Sequence, residues 1–252
     1  FLTKVYALKK NLNPRYFIVD HKLRKESTYE AYKVKKILKS LKINSQVLTW
    51  KGKKPVSNIQ SLARSKRYEL LFLKCKKLKI SNLVLGHHID DVIENFFLRM
   101  ARGSGLKGLV SLGTNTQIEN INLIRPLIEF DKRDLIFLSK FIFNFYVDDP
   151  TNDDIKFNRI KVRNLIKRFE DFGLDKKKFQ LTIENLKKSD QSIKFYVEKN
   201  KRANSIFNYR KNELILKDNF FDNSYEVIFR SLSDLIHLVG KKPNFARGKK
   251  IE

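Results

Sequence analysis

The chain has 252 residues, 42% of them hydrophobic, and its 53 Lys and Arg against 27 Asp and Glu give a formal net charge of +26. This apolar content excludes a disordered protein, and no run approaches the roughly 18 uninterrupted apolar residues that a membrane-spanning helix needs. A single cysteine, Cys75, excludes a disulfide framework and any cysteine-rich zinc or iron–sulfur site held by this chain alone, so we expect a cytoplasmic protein.

Apolar runs and helical periodicities alternate along the chain up to residue 144. The runs predict strands at 16–20, 43–50, 82–86 and 121–125, and apolar side chains at helical spacing predict helices at 27–41, 59–78, 88–102 and 131–144. Ser27 and Glu30 have the spacing of a capping box, which predicts how the first helix begins. Strands that alternate with long helices imply right-handed crossovers and a parallel sheet with helices on both faces. The predicted fold class is therefore α/β.

After residue 150 the alternation stops. Residues 158–200 and 224–239 have helical spacing with little strand signal, and Asp148-Asp149-Pro150-Thr151-Asn152 is typical of a junction. We therefore expect an α/β domain at 1–150 and a smaller, mainly helical domain at 151–252. The chain opens at Phe1 without a methionine or a signal peptide, and we expect it to be a fragment.

The charge is unevenly distributed. Residues 1–80 carry 22 basic and 4 acidic side chains, residues 81–150 carry 7 and 9, and residues 151–252 carry 24 and 14. Basic surfaces on either side of a near-neutral centre suit a polyanion such as a nucleic acid. A compositional drift toward A·T-rich codons would give the same excess of lysine, so both interpretations stay open.

The carboxyl ends of the predicted strands, where ligands bind in such sheets, carry the polar chemistry. The densest cluster is His87-His88-Ile89-Asp90-Asp91-Val92-Ile93-Glu94, and on a helix His87, Asp91 and Glu94 share a face. A metal site, carboxylates that cap the helix, and recognition of a cationic ligand are three open interpretations. His21, at another strand end, is a further functional candidate.

Three other segments carry candidate binding residues. The loop Arg102-Gly103-Ser104-Gly105-Leu106-Lys107-Gly108 is either a helix stop or a phosphate-binding turn. Arg64 and Arg67 lie one helical turn apart on the helix predicted at 59–78. Arginines at such a spacing usually just extend into solvent. Arg159, Lys161 and Arg163 follow the junction, where they either bind phosphate or form a plain surface stripe.

Taken together these segments resemble one family, the tRNA(Ile)-lysidine synthetases, which are PP-loop ATPases of the adenine nucleotide alpha hydrolase-like fold. The resemblance runs from about residue 19 to 163 in the family's order and spacing, and is looser beyond about 170. It rests on these motifs: Val19-Asp20-His21-x-Leu23-Arg24-x-Glu26-Ser27, Trp50-x-Gly52-x-Lys54-Pro55, Gln60-x-x-Ala63-Arg64-x-x-Arg67-Tyr68, His87-His88-x-Asp90-Asp91-x-x-Glu94, Arg102-Gly103-Ser104-Gly105-x-x-Gly108-Leu109 and Asp149-Pro150-x-Asn152.

The resemblance implies a ligation driven by ATP, with Mg²⁺ expected beside the nucleotide. The family adenylates the C2 oxygen of the wobble cytidine, position 34, in the tRNA(Ile) with a CAU anticodon. Free L-lysine then displaces AMP to give lysidine, which changes codon specificity from AUG to AUA. The residues that match lie in three groups: a catalytic lysine site at Asp91 and Glu94, an ATP site at Arg64, His87, Asp90 and Arg159, and a tRNA path at Arg102, Lys107, Lys161 and Arg163. Whether Arg159 or Arg163 meets the phosphates is left open, as is a homodimer.

The family's phosphate-binding loop, Ser-Gly-Gly-x-Asp-Ser, is missing and would belong just before Phe1. Because its backbone amides supply much of the field for adenylation, we expect residues 1–252 alone to bind tRNA and turn over slowly or not at all. Val92 and Asn95 stand where Gln and Thr are usual, and Thr151 and Lys161 replace Ser and Arg. The alternatives are a PP-loop tRNA thiolase, which Cys75 amid apolar neighbours does not favour, and a non-catalytic tRNA-binding module.

Overall fold

The computed structural model of this chain describes residues 1–52, 59–147, 158–208 and 210–240. The chain forms two compact units, one from residues 1–92 and 113–160 and one from 93–112 and 161–252. The predicted junction at 148–152 and the motif residues Lys54 and Pro55 lie outside the described residues. The limits 1–150 and 151–252 stay a prediction, and the contact pattern adds that residues 93–112 group with the C-terminal unit.

The first unit alternates strands and helices as predicted. Every strand and helix predicted up to residue 144 is present, with its ends within two residues of the prediction. The elements are α1 (Leu2–Lys9), β1 (Tyr16–Asp20), α2 (Ser27–Ser40), β2 (Ser45–Thr49), α3 (Ile59–Lys77), β3 (Asn82–Val84), the start of α4 (Ile89–Met100), β4 (Asn115–Ile118), β5 (Ile121–Ile124) and α6 (Lys132–Phe143).

Parallel pairing dominates the strands of this unit, which confirms the α/β class. β1 pairs with β2 and β3 pairs with β5 in parallel, and β4 adds an antiparallel edge to β5. The sequence did not predict β4, because its residues Asn-Thr-Gln-Ile show no apolar alternation. Buried Leu71 and Cys75 of α3 pack with Leu83 and Leu123, and side chains of β1 and β2 pack against the same core.

Asp20, at the end of β1, decides how α2 begins. Its buried carboxylate accepts hydrogen bonds from the Ser27 hydroxyl (2.9 Å), the Thr28 hydroxyl (2.7 Å) and the backbone N–H of Lys22 (2.9 Å). Burial alone would raise the pKa of Asp20, but these three hydrogen bonds hold it below its ordinary value. The capping-box prediction was therefore wrong, since Ser27 bonds to Asp20 and Glu30 accepts from Arg24 instead.

The second unit is mainly helical, as predicted. Phe97 stacks on Phe169 and Phe179 with ring centroids 5.6 and 5.4 Å away, and a buried ion pair joins Arg230 to Asp190 at 2.6 Å. The antiparallel hairpin of β6 and β7 was not predicted. The elements are the rest of α4, α5 (Leu106–Leu109), α7 (Asn158–Asp171) from residue 161 onward, α8 (Lys176–Asn204), β6 (Ser205–Asn208), β7 (Glu213–Leu216), a 3-10 turn (Asp218–Phe220) and α9 (Tyr225–Gly240). In the described parts of both units, no helix is long and apolar enough to cross a membrane.

Candidate active site

The carboxyl ends of β1 and β2 open into a cleft of about 400 Å³ lined by residues 21, 22 and 50–52. Trp50 forms a buried wall of this cleft. A Cβ atom on Gly52 would lie 2.4 Å from the Trp50 Nε1 atom, so only glycine lets the chain pass this close to the indole. Among the described residues, the buried Nδ1 atom of His21 has no hydrogen-bond partner and can serve a ligand in the cleft.

The charge of Arg67, in α3, acts on His21 after β1 and on His87 after β3. Burial lowers the pKa of His21, and the charge of Arg67 lowers it further. Arg67 keeps contact with solvent, but crowding by protein atoms lowers its pKa. The charges of Arg64 and Arg159 also lower this pKa, whereas the charge of Asp91 raises it. The side chains that follow the two strands therefore converge around one guanidinium, as expected from the parallel topology.

His87, in the segment between β3 and α4, is half-buried and electrically neutral at neutral pH. Burial, followed by the charges of Arg125, Arg64 and Arg67, lowers its pKa to about 4, although Asp91 opposes the shift. The imidazole therefore stays uncharged at neutral pH, and among the described residues three arginines and one carboxylate act on it. Such an excess of guanidinium groups suits a phosphate-bearing ligand, which each guanidinium can bind through paired N–H donors.

Asp90 and Asp91 both hold the start of α4 in place. Asp91 Oδ2 accepts from the backbone N–H of His88 at 3.1 Å, and Asp90 Oδ2 accepts from the backbone N–H of Lys132, at the start of α6, at 3.0 Å. Burial alone would lower the pKa of His88, but its bond to Asp90 and the charges of both carboxylates raise it. The capping interpretation of Asp91 is therefore shown, and this bond uses one of its two carboxylate oxygens.

Glu94 lies one turn after Asp91 in α4 and belongs to the second unit. Its side chain is buried, and Arg163 of α7 donates to it from Nε at 2.5 Å and from Nη2 at 3.5 Å. The sequence assigned these two residues to different tasks, Glu94 to lysine and Arg163 to the tRNA path. The structure brings them together as an ion pair.

The other basic candidates take separate positions. Arg159 acts on the charge cluster around Arg67, Arg102 and Lys161 are exposed, and Lys107 Nζ lies 3.7 Å from Asp234 Oδ1. The glycine loop is a helix stop: Gly103 is left-handed with φ 68°, its N–H bonds to the Met100 carbonyl, and the next N–H bonds to the Arg99 carbonyl.

Two arginines of the site were not assigned from the sequence. Arg67 has the one-turn spacing from Arg64 that signals a shared face, yet that spacing is equally typical of solvated arginines. Arg125 is buried, and its Nη1 donates to the Gly113 carbonyl at 2.8 Å and to the Thr116 hydroxyl at 2.9 Å. β4 and the residues before it provide these acceptors. Because β4 was not predicted from the sequence, the buried position of Arg125 was not predicted either.

A family model described as a PP-loop domain matches residues 1–169. Among known proteins, the tRNA(Ile)-lysidine synthase of Orientia tsutsugamushi is 41% identical over 59% of this chain and 34% of its own length. Those of a Wolbachia from Brugia malayi and of Bradyrhizobium diazoefficiens are 34% and 33% identical over 71% and 69% of the chain, and 42% and 48% of their own lengths. The chain thus spans less than half the length of these relatives.

A solved structure is also similar. The U34-tRNA thiolase NcsA from Methanococcus maripaludis, with its [4Fe-4S] cluster, aligns with a TM-score of 0.59 at 16% identity, covering 74% of this chain and 66% of its own. This likeness shows a shared fold.

Proposed function

The chain belongs to the PP-loop domain family, and we propose that its protein uses ATP to attach free lysine to C2 of the wobble cytidine in AUA-reading tRNA(Ile). The product would be lysidine. The relatives that carry the name tRNA(Ile)-lysidine synthase support this substrate class. Since the chain covers 34–48% of the three relatives described, the activity of the whole protein is part of the proposal.

The observation that carries the ATP half of the reaction is the arginine cluster around neutral His87. In the first step the C2 oxygen of cytidine attacks the α-phosphorus, and the bond to pyrophosphate breaks. Negative charge then grows on the leaving group, and we propose that Arg64, Arg67 and Arg159, which act on one another electrostatically, stabilise it. A neutral imidazole can hydrogen-bond to the nucleotide without adding to the mutual repulsion of these guanidinium groups.

Asp91 and Glu94 are the proposed lysine site. They lie three residues apart in α4, so their carboxylates leave the helix on one face. In the second step the lysine amine forms a bond to C2 while the bond from C2 to the AMP oxygen breaks. A carboxylate beside the amine binds it as ammonium and takes the proton that the nitrogen loses.

Magnesium is expected with the nucleotide. Within the described ranges, no three His, Cys, Asp or Glu side chains are grouped so as to hold a metal ion.

The buried position of Cys75 argues against sulfur transfer by this residue, as in a thiolase. Cys75 is the single cysteine of the sequence, and burial in the core of the first unit raises the pKa of its thiol. A thiol that resists ionisation inside an apolar core does not suit sulfur transfer, which needs an accessible thiolate.

The test is a reaction of the full-length protein with ATP, CAU-anticodon tRNA and labelled lysine. We expect label in the tRNA and release of AMP. Asp91→Asn and Glu94→Gln should weaken lysine use by roughly 30-fold, about 2 kcal/mol, while ATP–pyrophosphate exchange changes much less. Glu69→Gln removes an exposed carboxylate from α3 and serves as the control. Equal damage to both steps would contradict the lysine site, and sulfur in place of lysine in the tRNA would indicate a thiolase.

A further inference from the structure

The ion pair of Glu94 and Arg163 has a chemical consequence for an enzyme that binds lysine. The Glu94 side chain is 3% exposed, and the guanidinium of Arg163 lies against both of its oxygens, at 2.5 and 3.5 Å. A guanidinium and an ammonium are both cationic donors that pair with a carboxylate. An ammonium would therefore compete with Arg163 for this carboxylate.

A phosphate group is a second kind of partner that the guanidinium of Arg163 can bind. The side chain of Arg163 keeps 30% of its surface exposed. Arg159, one turn earlier in α7, lies near Arg67 in the cluster that suits phosphate. A guanidinium exchanges readily between a carboxylate and a phosphate, because both accept paired N–H donors.

We propose that Arg163 is a positioning residue that occupies the ammonium-binding carboxylate of Glu94 until a phosphate group of the bound tRNA draws the guanidinium away. This inference rests on the proposed function. It makes lysine binding depend on prior binding of the tRNA, with Arg163 as the residue that both ligands share.

Binding of lysine after the tRNA prevents a side reaction that would waste ATP. If lysine were bound beside ATP before the cytidine, its carboxylate could attack the α-phosphorus, forming lysyl adenylate and releasing pyrophosphate. That side reaction consumes ATP without modifying tRNA. Holding Glu94 with Arg163 keeps lysine out until the cytidine oxygen has its place at the phosphorus.

The experiment measures the affinity of the full-length protein for lysine by calorimetry, with and without CAU-anticodon tRNA plus a non-hydrolysable ATP analogue. A third measurement adds the ATP analogue alone, which should leave lysine binding weak; tightening by the analogue alone would contradict the proposed order. Wild-type protein should bind lysine alone weakly, and the added substrates should tighten binding about tenfold or more. Arg163→Gln should bind lysine alone about tenfold more tightly than wild type, with little further gain from the added substrates. Lysine should also raise the melting temperature of Arg163→Gln more than that of wild type.

Two further variants protect the interpretation. Arg163→Lys keeps a positive charge and should give a lysine affinity between those of wild type and Arg163→Gln, even if the glutamine variant folds poorly. Arg168→Gln removes an exposed arginine from the same helix and should behave as wild type.

Unchanged or weaker lysine binding in both Arg163 variants, in a protein that still forms lysidine, would overturn the inference and leave the proposed function intact. If the wild-type protein neither binds nor incorporates lysine in the complete reaction, the proposed function fails, and the inference fails with it.

Discussion

Gly52 is the position where a single added methyl group should disturb the candidate site most directly. A Cβ atom at residue 52 would meet three atoms of the Trp50 indole, the nearest at 2.4 Å and the next at 2.8 Å. Ordinary contacts begin near 3.4 Å, so the overlap is about 1 Å. The indole is a rigid ring, and it forms a wall of the cleft that also holds His21.

Gly52→Ala must therefore rotate Trp50 or move the backbone. Overpacking of this kind costs about 1–3 kcal/mol, and a loss of about 2 kcal/mol lowers the melting temperature by roughly 4–8 °C in a protein of this size. Trp50 is 8% exposed in the native unit, so a displaced ring gains contact with water.

Trp50 is the single tryptophan of residues 1–252, so tryptophan emission from this chain reports on this ring alone. We expect Gly52→Ala to shift the emission to longer wavelength and to lower the melting temperature. Gly86→Ala is the matched control, because a Cβ atom there has no neighbour within 4 Å and its φ is not left-handed. Native emission and an unchanged melting temperature in Gly52→Ala would refute the close approach of backbone and indole.

Two further predictions concern the charges of the first unit. In an NMR titration the His87 imidazole should titrate near pH 4 and His88 above the ordinary value of 6.5. Because its pKa is lowered on folding, His87 contributes stability that is complete above pH 6.5 and is lost as the pH falls toward 4. Because its pKa is raised on folding, His88 contributes stability that is present below pH 6.5 and is lost as the pH rises through its folded pKa. Titration of both rings near pH 6.5 would contradict the placement of these residues. Arg125→Gln should lower the free energy of unfolding by about 2–3 kcal/mol, because it removes the buried donor of two partly buried hydrogen bonds. Arg133→Gln, on an exposed side chain, should change it little. Denaturant unfolding measures both, and equal effects would contradict the buried role of Arg125.

The sequence was most informative where local pattern decides structure. Apolar runs and helical spacing located β1, β2, β3 and β5 and the helices between them, because burial on a sheet imposes its period on the sequence itself. The same spacing placed Asp91 and Glu94 on one face of α4 and pointed to the strand ends as the site.

Tertiary structure decided what those side chains bind. Glu94 and Arg163 are 69 residues apart, and no local pattern pairs them. Ser27 donates to Asp20 and forms no capping box, because the end of β1 lies against the start of α2. Arg125 is a buried donor because β4 folds back on β5. A sequence period records which face of an element is buried, whereas the partner of a charged group depends on which elements pack together.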